Sequence, residues 1–227
     1  MQQRLLAAAL ITVWPTFGVS HALAEELPVS ANLHLASAYA FRGISQTDQR
    51  PAIQGGFDYQ HGSGLYLGAW ASNVSDGTAG IETNLYGGYR FNLGPVSMDA
   101  GLLRYYYPGH LAPANTTEAY AGLSWKFLSF TYSHTLTDAF GMASSKGSKY
   151  FDLSASHEIF DGLTLEAHYG WSRFRGPGNS ADNYQDWSLG LSKTYRGLDF
   201  GLHYVDTDLR HNRLADERFI LSVGKSF

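Results

Sequence analysis

The chain has 227 residues, no Cys, 25 Gly and a formal net charge of −4. Charged residues make up 16 % of the chain, whereas about a quarter is usual in a soluble domain, and aromatic residues make up 15 %. The basic residues are scattered without a basic tract, which argues against a nucleic-acid partner. A chain of low charge that is rich in aromatic residues and Gly is typical of a membrane β-barrel.

The first 24 residues have the pattern of a secretory signal peptide. Arg4 gives a positive start, residues 5–13 are apolar, and Ala22 and Ala24 form a small-residue cleavage site. A membrane anchor is the alternative, but the apolar run is short and Pro15 interrupts its continuation. We therefore predict a signal peptide at residues 1–24 and one outer-membrane β-barrel at residues 25–227.

The first predicted hairpin covers residues 33–59 and sets the pattern for the chain. Apolar and polar side chains alternate along both of its limbs, which is the period of a strand. A polar connector at residues 43–51 joins the limbs and cannot belong to a core. The predicted apolar face holds Leu33, Leu35, Tyr39 and Phe41 on the first limb and Ile53, Phe57 and Tyr59 on the second.

Alternating segments continue to the C-terminus and predict twelve strands. Short turns alternate with longer polar connectors, as expected for an outer-membrane barrel with both termini at the periplasmic rim. The facing of residues 65–72 stays open, because Leu65 and Leu67 compete with Tyr66 and Trp70 for the apolar face. The predicted long loops are residues 43–51, 73–80, 108–117, 138–148, 173–183 and 206–216.

Aromatic residues end every second predicted strand, about 34 residues apart. Rings at this position are typical of the aromatic girdle at the lipid headgroup level. Phe160 does not share the facing of its strand and is predicted to lie in a turn. A soluble β-sandwich is the alternative, but the signal peptide, the girdle and the loop asymmetry favour a barrel. The girdle residues are Tyr59, Phe91, Phe127, Phe160, Tyr195 and Phe227.

The predicted fold is all-β: a transmembrane antiparallel up-and-down β-barrel of twelve strands, with ten or fourteen as alternatives. A ten-residue strand rises about 33 Å and, tilted near 45°, crosses about 24 Å of membrane. The last strand ends on Phe227, which resembles the assembly signal of outer-membrane barrels. The expected partners are therefore the barrel-assembly machinery, outer-membrane lipid and lipopolysaccharide, together with small solutes.

Three motifs resemble the TorF-type porin family, a proteobacterial outer-membrane family of unknown function. They are RGISQT at residues 42–47 with Pro51 after it, GLYLGAWASNV at residues 64–74, and YYYPG at residues 105–109. The match is close from about Tyr39 to Gly109 and looser to the C-terminus. The resemblance implies an outer-membrane barrel that forms a pore, and it brings neither a solute nor catalytic residues.

Charged and titratable residues on the polar faces are candidates to line the pore. Their excess of acids predicts a weak cation preference, unless the charges pair across the lumen and close it. Twelve strands lie between the eight that side chains can fill and the sixteen of open porins, so both states remain possible. The candidates are Arg42, Asp58, Glu82, Arg90, Asp99, Glu118, Glu166, His168, Asp186, Asp199 and His203.

Two features at the long-loop rim have more than one interpretation. Arg42 either projects into the pore mouth and pairs with Asp48 or Asp58, or it folds its own loop by binding backbone carbonyls. The run of three tyrosines at residues 105–107 is either a sugar-stacking track or part of the outer aromatic girdle.

The predicted function is passive passage of small hydrophilic solutes or ions through the outer membrane of a Gram-negative bacterium. We predict no catalytic residue, cofactor or metal site. One alternative is a non-conducting barrel that serves as a scaffold, adhesin or receptor through its long loops. The other is a barrel lipid hydrolase. The outward histidines His134 and His157 follow Ser133 and Ser156, but adjacent strand residues point to opposite faces, so neither pair can form a dyad within its strand.

Overall fold

The computed structural model describes residues 28–76, 79–109 and 114–227, so the predicted signal peptide lies outside the described residues. Within these ranges no helix is long and apolar enough to cross a membrane. One short 3-10 helix, Asn179–Asp182, lies in a loop. The strands are β1 (Val29–Ala36), β2 (Ala40–Phe41), β3 (Ile44–Ser45), β4 (Ala52–Gln60), β5 (Leu65–Asp76), β6 (Ala79–Leu93), β7 (Val96–Tyr106), β8 (Thr116–Trp125), β9 (Leu128–Thr135), β10 (Lys149–Phe160), β11 (Leu163–Arg173), β12 (Tyr184–Tyr195), β13 (Leu198–Thr207) and β14 (Arg218–Ser226).

The wall is a closed barrel made of β1 and β4 to β14, which confirms the predicted antiparallel β-barrel of twelve strands. Each strand pairs with its neighbour in sequence, and β1 closes the barrel by pairing with β14 from Asn32↔Ser226 to Ala36↔Ser222. Because β2 and β3 pair only with each other, β1 pairs directly with β4. Closure removes the two exposed strand edges that an open sheet would have.

The outer face of the barrel is apolar. Phe57, Leu67 and Leu221 expose 65 %, 64 % and 61 % of their surface, and their strand neighbours point inward. Apolar surface of this extent does not persist in water, so the belt is made for contact with lipid tails. A twelve-residue strand such as β10 rises about 40 Å and, tilted near 45°, crosses about 28 Å.

The structure settles the facing of β5 and corrects two local predictions. Tyr66 and Trp70 are buried inside the barrel, while Leu65 and Leu67 face outward. Strand β5 continues to Asp76 and β6 begins at Ala79, so the long loop predicted over residues 73–80 is wrong. The alternation of β5 extends past Asn73, since Val74 is again buried on the inner face.

Phe160 is the last residue of β10, so its assignment to a turn is also wrong. A register shift between Glu158 and Phe160 inserts one extra residue before the strand ends. This bulge turns the ring outward, where it is 75 % exposed. Phe160 thus lies at the short-turn rim with the other predicted girdle residues, all of which are exposed: Tyr59, Phe91, Phe127, Tyr195 and Phe227.

Residues 37–51, which we call the inner hairpin, fold into the barrel. The chain leaves the wall after Ala36, and Tyr39 is only 2 % exposed. The prediction that Tyr39 and Phe41 face outward is therefore wrong. The strand alternation is broken at residues 37–39, and Phe41 packs inside against the rings of Tyr105 and Phe140 at 5.5 Å.

Candidate functional site: the barrel lumen

The turn of the inner hairpin shows why it enters the lumen as a compact unit. Arg42 and Gly43 both have positive φ, 48° and 80°, which is the backbone of a tight two-residue hairpin turn. A Cβ on Gly43 would overlap the side chain of Thr207 and approach the Cβ of Asp186 to 2.8 Å. Only Gly therefore fits both the backbone and the space at the tip of the hairpin.

Arg42 extends from this turn to the opposite wall and binds Glu118. Its Nη2 lies 2.8 and 3.1 Å from the two carboxylate oxygens, and the side chains of the pair are 11 % and 2 % exposed. The guanidinium also lies over the Tyr150 ring, 4.1 Å from its centroid. The Tyr105 hydroxyl donates to the same carboxylate at 3.2 Å. Neither predicted partner of Arg42, Asp48 or Asp58, is correct, because the hairpin points inward.

Further hydrogen bonds hold the inner hairpin from several sides of the wall. Tyr39 donates its hydroxyl to Glu82 at 3.3 Å, and its ring packs on Trp70 at 5.4 Å. The backbone carbonyls of the turn accept two more: Tyr184 donates to the Arg42 carbonyl at 3.0 Å, and Arg218 donates to the Gly43 carbonyl at 3.1 Å. The hairpin thus lies across the long-loop half of the lumen.

At its outer end the inner hairpin is tied to the loop between β13 and β14 and to the end of β5. The Ser45 amide donates to the Leu214 carbonyl at 2.7 Å, and the Ser75 amide donates to the Gln46 carbonyl at 2.7 Å. Arg213 forms an ion pair with Asp48 at the surface. The hydrogen bond from this guanidinium lowers the pKa of the Asp48 carboxyl.

A second polar network lies on β4 to β8, closer to the short turns. Arg90 lies 3.2 Å from Asp99 and stacks 4.0 Å above the Tyr66 ring. Tyr66 donates to Asp99 at 2.6 Å, and Tyr86 donates to Asp58 at 2.5 Å. The Arg90 and Asp99 side chains are 16 % and 22 % exposed, so this pair is accessible from the lumen.

His168 is held between two carboxylates on the other side of the lumen. Its Nδ1 lies 3.0 Å from Asp152 and its Nε2 lies 2.8 Å from Asp186. Ser154 donates to Asp152 at 2.6 Å and lies 3.4 Å from His168 Nδ1. A hydrolytic triad needs a ring nitrogen that accepts the Ser proton, but here both nitrogens face carboxylates. The arrangement therefore suits a structural network better than a nucleophile.

The remaining candidates lie nearer the short-turn rim. Glu166 accepts a hydrogen bond from Ser192 at 2.8 Å and lies 3.6 Å from His203 Nε2. The His203 ring lies flat on the wall over Gly190, where a Cβ would overlap it. Asp199 accepts a hydrogen bond from Thr194 at 2.6 Å. In the described part of the chain, no group of His, Asp and Glu side chains forms a candidate metal site.

The predicted pore-lining residues form three groups rather than one continuous ring. Arg42, Glu82 and Glu118 hold the inner hairpin. Asp58, Arg90 and Asp99 form the network on one wall. His168 and Asp186 form the network on the opposite wall. Glu166, His203 and Asp199 lie nearer the short-turn rim. Whether any of them lines a conducting path stays a prediction. The charged residues Lys126 and Glu158 do not belong to these groups, because both are exposed at the short-turn rim.

The sequence interpretation missed the aromatic part of the site. Tyr105 and Tyr107 are 0 % and 7 % exposed and face the lumen, so their assignment to the outer girdle is wrong; only Tyr106 faces outward. Phe140, from the loop between β9 and β10, packs on Tyr105 at 5.1 Å. The alternation of β7 contained the signal, because extending it from the outward Leu102 places residues 105 and 107 inside.

Comparisons with known proteins agree with the barrel fold. A KdgM porin structure is 9 % identical, with a TM-score of 0.58, covering 87 % of this chain and 99 % of that chain. A structure of KdgM porin in complex with disordered oligogalacturonate is 9 % identical, with a TM-score of 0.57, covering 88 % and 98 %. At this identity the likeness shows a shared fold.

At the level of sequence, no curated protein matches the chain. A family model described as "Bacterial protein of unknown function (Gcw_chp)" matches residues 22–227. The motifs at residues 42–47, 64–74 and 105–109 predicted a family without an assigned function, and this match agrees with that. The TorF-type name itself stays a prediction.

Proposed function

The chain belongs to the Gcw_chp family of bacterial proteins of unknown function, and we propose that it is a porin-like channel in the outer membrane of a Gram-negative bacterium. The observation that carries the proposal is the closed barrel of twelve strands with an apolar outer face and a charged inner face. A wall of this kind separates lipid from a polar interior, which is the requirement for passage of hydrophilic solutes.

The charges on the inner wall favour cations over anions. Carboxylates outnumber guanidinium groups there by eight to three. A negative lumen lowers the energy of a cation that enters it and raises the energy of an anion. For the same reason an acidic oligosaccharide, such as the ligand in the KdgM complex, suits this lumen poorly. The inner carboxylates are Asp58, Glu82, Asp99, Glu118, Asp152, Glu166, Asp186 and Asp199; the guanidinium groups are Arg42, Arg90 and Arg218.

The inner hairpin narrows the lumen and restricts the solutes to small ones. Several of its residues are buried inside the barrel, so protein occupies part of the long-loop half of the lumen: Ala38, Tyr39, Ala40, Ser45 and Thr47. The same observation favours a second candidate function, a non-conducting barrel that acts as a receptor or scaffold through its loops. In that case the hairpin would be a permanent plug.

Planar-bilayer recording of residues 25–227 separates the two candidates. A channel gives reproducible unitary steps, and a salt gradient gives a reversal potential of the sign expected for cations. Asp99→Asn removes a carboxylate beside Arg90 and should move the preference toward anions. Asp161→Asn, in an exposed turn outside the lumen, is the matched control and should change nothing. The absence of unitary steps at every voltage would favour the plugged receptor.

A further inference from the structure

A row of two cations, Lys149 and Arg173, and one imidazole, His134, crosses the outer face of the barrel at the long-loop rim. Lys149 on β10 is directly opposite His134 on β9 and Arg173 on β11. Residues opposite each other in register point to the same face, and the inner face is taken by the neighbouring Ser133, Tyr150 and Ser172, which are all buried. His134, Lys149 and Arg173 therefore face the membrane side of the wall.

An aromatic row lies directly beneath the cations. Phe151 is opposite both Tyr132 and Trp171, two residues further along the same three strands. The Tyr132 and Phe151 rings are 5.2 Å apart, and Tyr132 donates to or accepts from His134 Nδ1 at 3.0 Å. Two residues along a strand correspond to about 7 Å, so the basic side chains lie about 7 Å from the rings, on the side of the long loops. Below them the wall continues with Leu153, and it stays apolar.

These cations are unusual for this level of the barrel. At the same rim, other strands present neutral or acidic side chains on their outer face: Asn73 on β5, Thr117 on β8, Gln185 on β12 and Asp206 on β13. A general preference for positive charge at the interface would have placed Lys or Arg on these strands as well. One further outward cation at this rim, Arg104 on β7, donates to Thr117 on β8 at 2.8 Å, whereas β9, β10 and β11 carry basic side chains on three adjacent strands.

The cations also have no carboxylate partner of their own. Neither Lys149 nor Arg173 forms an ion pair within the described ranges of the chain. Arg173 Nη1 donates to the Ser172 carbonyl at 2.9 Å and more distantly to that of Tyr184, which fixes the guanidinium at the rim. Both cationic side chains are exposed.

We propose that this surface binds a phosphorylated glycolipid of the outer leaflet, with its phosphate on His134, Lys149 and Arg173 and its acyl chains on the aromatic row. The proposal rests on the proposed function, because the long-loop rim must lie in the outer leaflet. Adjacent strands are about 4.8 Å apart, so one phosphate can contact two neighbouring cations. The ligand is an amphiphile because the phosphate site and the apolar site adjoin each other.

The test measures lipid binding by the purified barrel in detergent, with native mass spectrometry as the readout and diphosphoryl lipid A as the probe. Removing one cation near an anionic lipid surface should weaken binding about five-fold. Lys149→Gln/Arg173→Gln should therefore lose about twenty-five-fold in apparent affinity. Lys225→Gln is the matched control: it removes an exposed Lys at the opposite rim and should bind as the parent does.

Two further arms identify the ligand chemistry. Dephosphorylated lipid A should bind the parent and the double variant equally weakly, and inorganic phosphate at the same concentration should not compete. The proposal is overturned if the double variant binds diphosphoryl lipid A like the parent, if the parent does not bind it, or if inorganic phosphate displaces it. Conductance of the same samples is recorded in parallel. If the parent shows no channel activity, the proposed function is refuted. If the channels are normal but the parent does not bind diphosphoryl lipid A in preference to dephosphorylated lipid A, only the lipid site is refuted.

Discussion

Glu118→Gln tests whether the inner hairpin is held in the lumen by its ion pair. The substitution keeps the shape of the side chain and removes the negative charge opposite Arg42. The two groups are in direct contact and almost fully buried, and the guanidinium cannot lose its proton. In the variant the buried Arg42 guanidinium still stacks on the Tyr150 ring, but it no longer has a negatively charged partner.

Breaking a buried ion pair from one side costs about 3 to 5 kcal/mol. We take the lower value of about 3 kcal/mol, since the Arg42 side chain keeps a little solvent contact and the stacking on Tyr150 persists. A cost of about 3 kcal/mol changes the ratio of seated to released hairpin roughly 150-fold. If the seated form is favoured by a comparable margin, the released form rises from below about 1 % to about half.

Single-channel recording detects this change directly. Glu118→Gln should show larger unitary conductance, or a second, larger open level that the parent visits rarely. Glu158→Gln is the control, because Glu158 is exposed at the short-turn rim and lies outside the lumen. Equal conductance and equal open-level statistics in Glu118→Gln and the parent, with both variants folded, would refute the assigned role of the ion pair.

Three other predictions concern the hairpin tip, the loop surface and assembly. Gly43→Ala strains a residue with φ of 80° and overlaps Thr207, so unitary conductance should rise as in the Glu118 variant; parental conductance would contradict the assigned turn. The Asp48 carboxyl has a lowered pKa in the folded chain because of Arg213. Its contribution to stability is therefore complete above the unfolded pKa of about 3.9 and is lost as pH falls through the folded value. Arg213→Gln should remove this acid dependence of the melting temperature while neutral-pH spectra stay unchanged, and an identical acid profile would contradict it. Phe227→Ser should lower the folded fraction in the outer membrane, measured by heat-modifiable gel mobility, and normal levels would argue against an assembly signal.

Much of the wall was predictable because alternation is a local property of each strand. Leu33, Leu35, Ile53 and Phe57 were assigned to the outer face from period two alone, and they are exposed there. The twelve-strand count followed from the turns and loops that separate alternating segments. Lipid on one side and a polar lumen on the other impose the same pattern on every strand, so no long-range information is needed.

The lumen contents were not predictable in the same way. In the sequence, Tyr39 and Phe41 continue the two-residue alternation of β1, although the chain has already left the barrel wall. The alternation therefore assigns them to the wrong face. Their positions depend on Trp70, Glu82 and Tyr105, which are far away in sequence. The Arg42 pair with Glu118 joins residues 76 positions apart and requires closure of the barrel before it can form. Local pattern carries no information about such contacts.

We propose that this barrel conducts small cations past its inner hairpin. The most direct measurement is the current through residues 25–227 in a planar bilayer under a KCl gradient. We expect unitary steps of small conductance whose reversal potential is shifted from zero toward the equilibrium potential of potassium. A current that reverses on the chloride side, or the absence of unitary steps at every voltage, would contradict it.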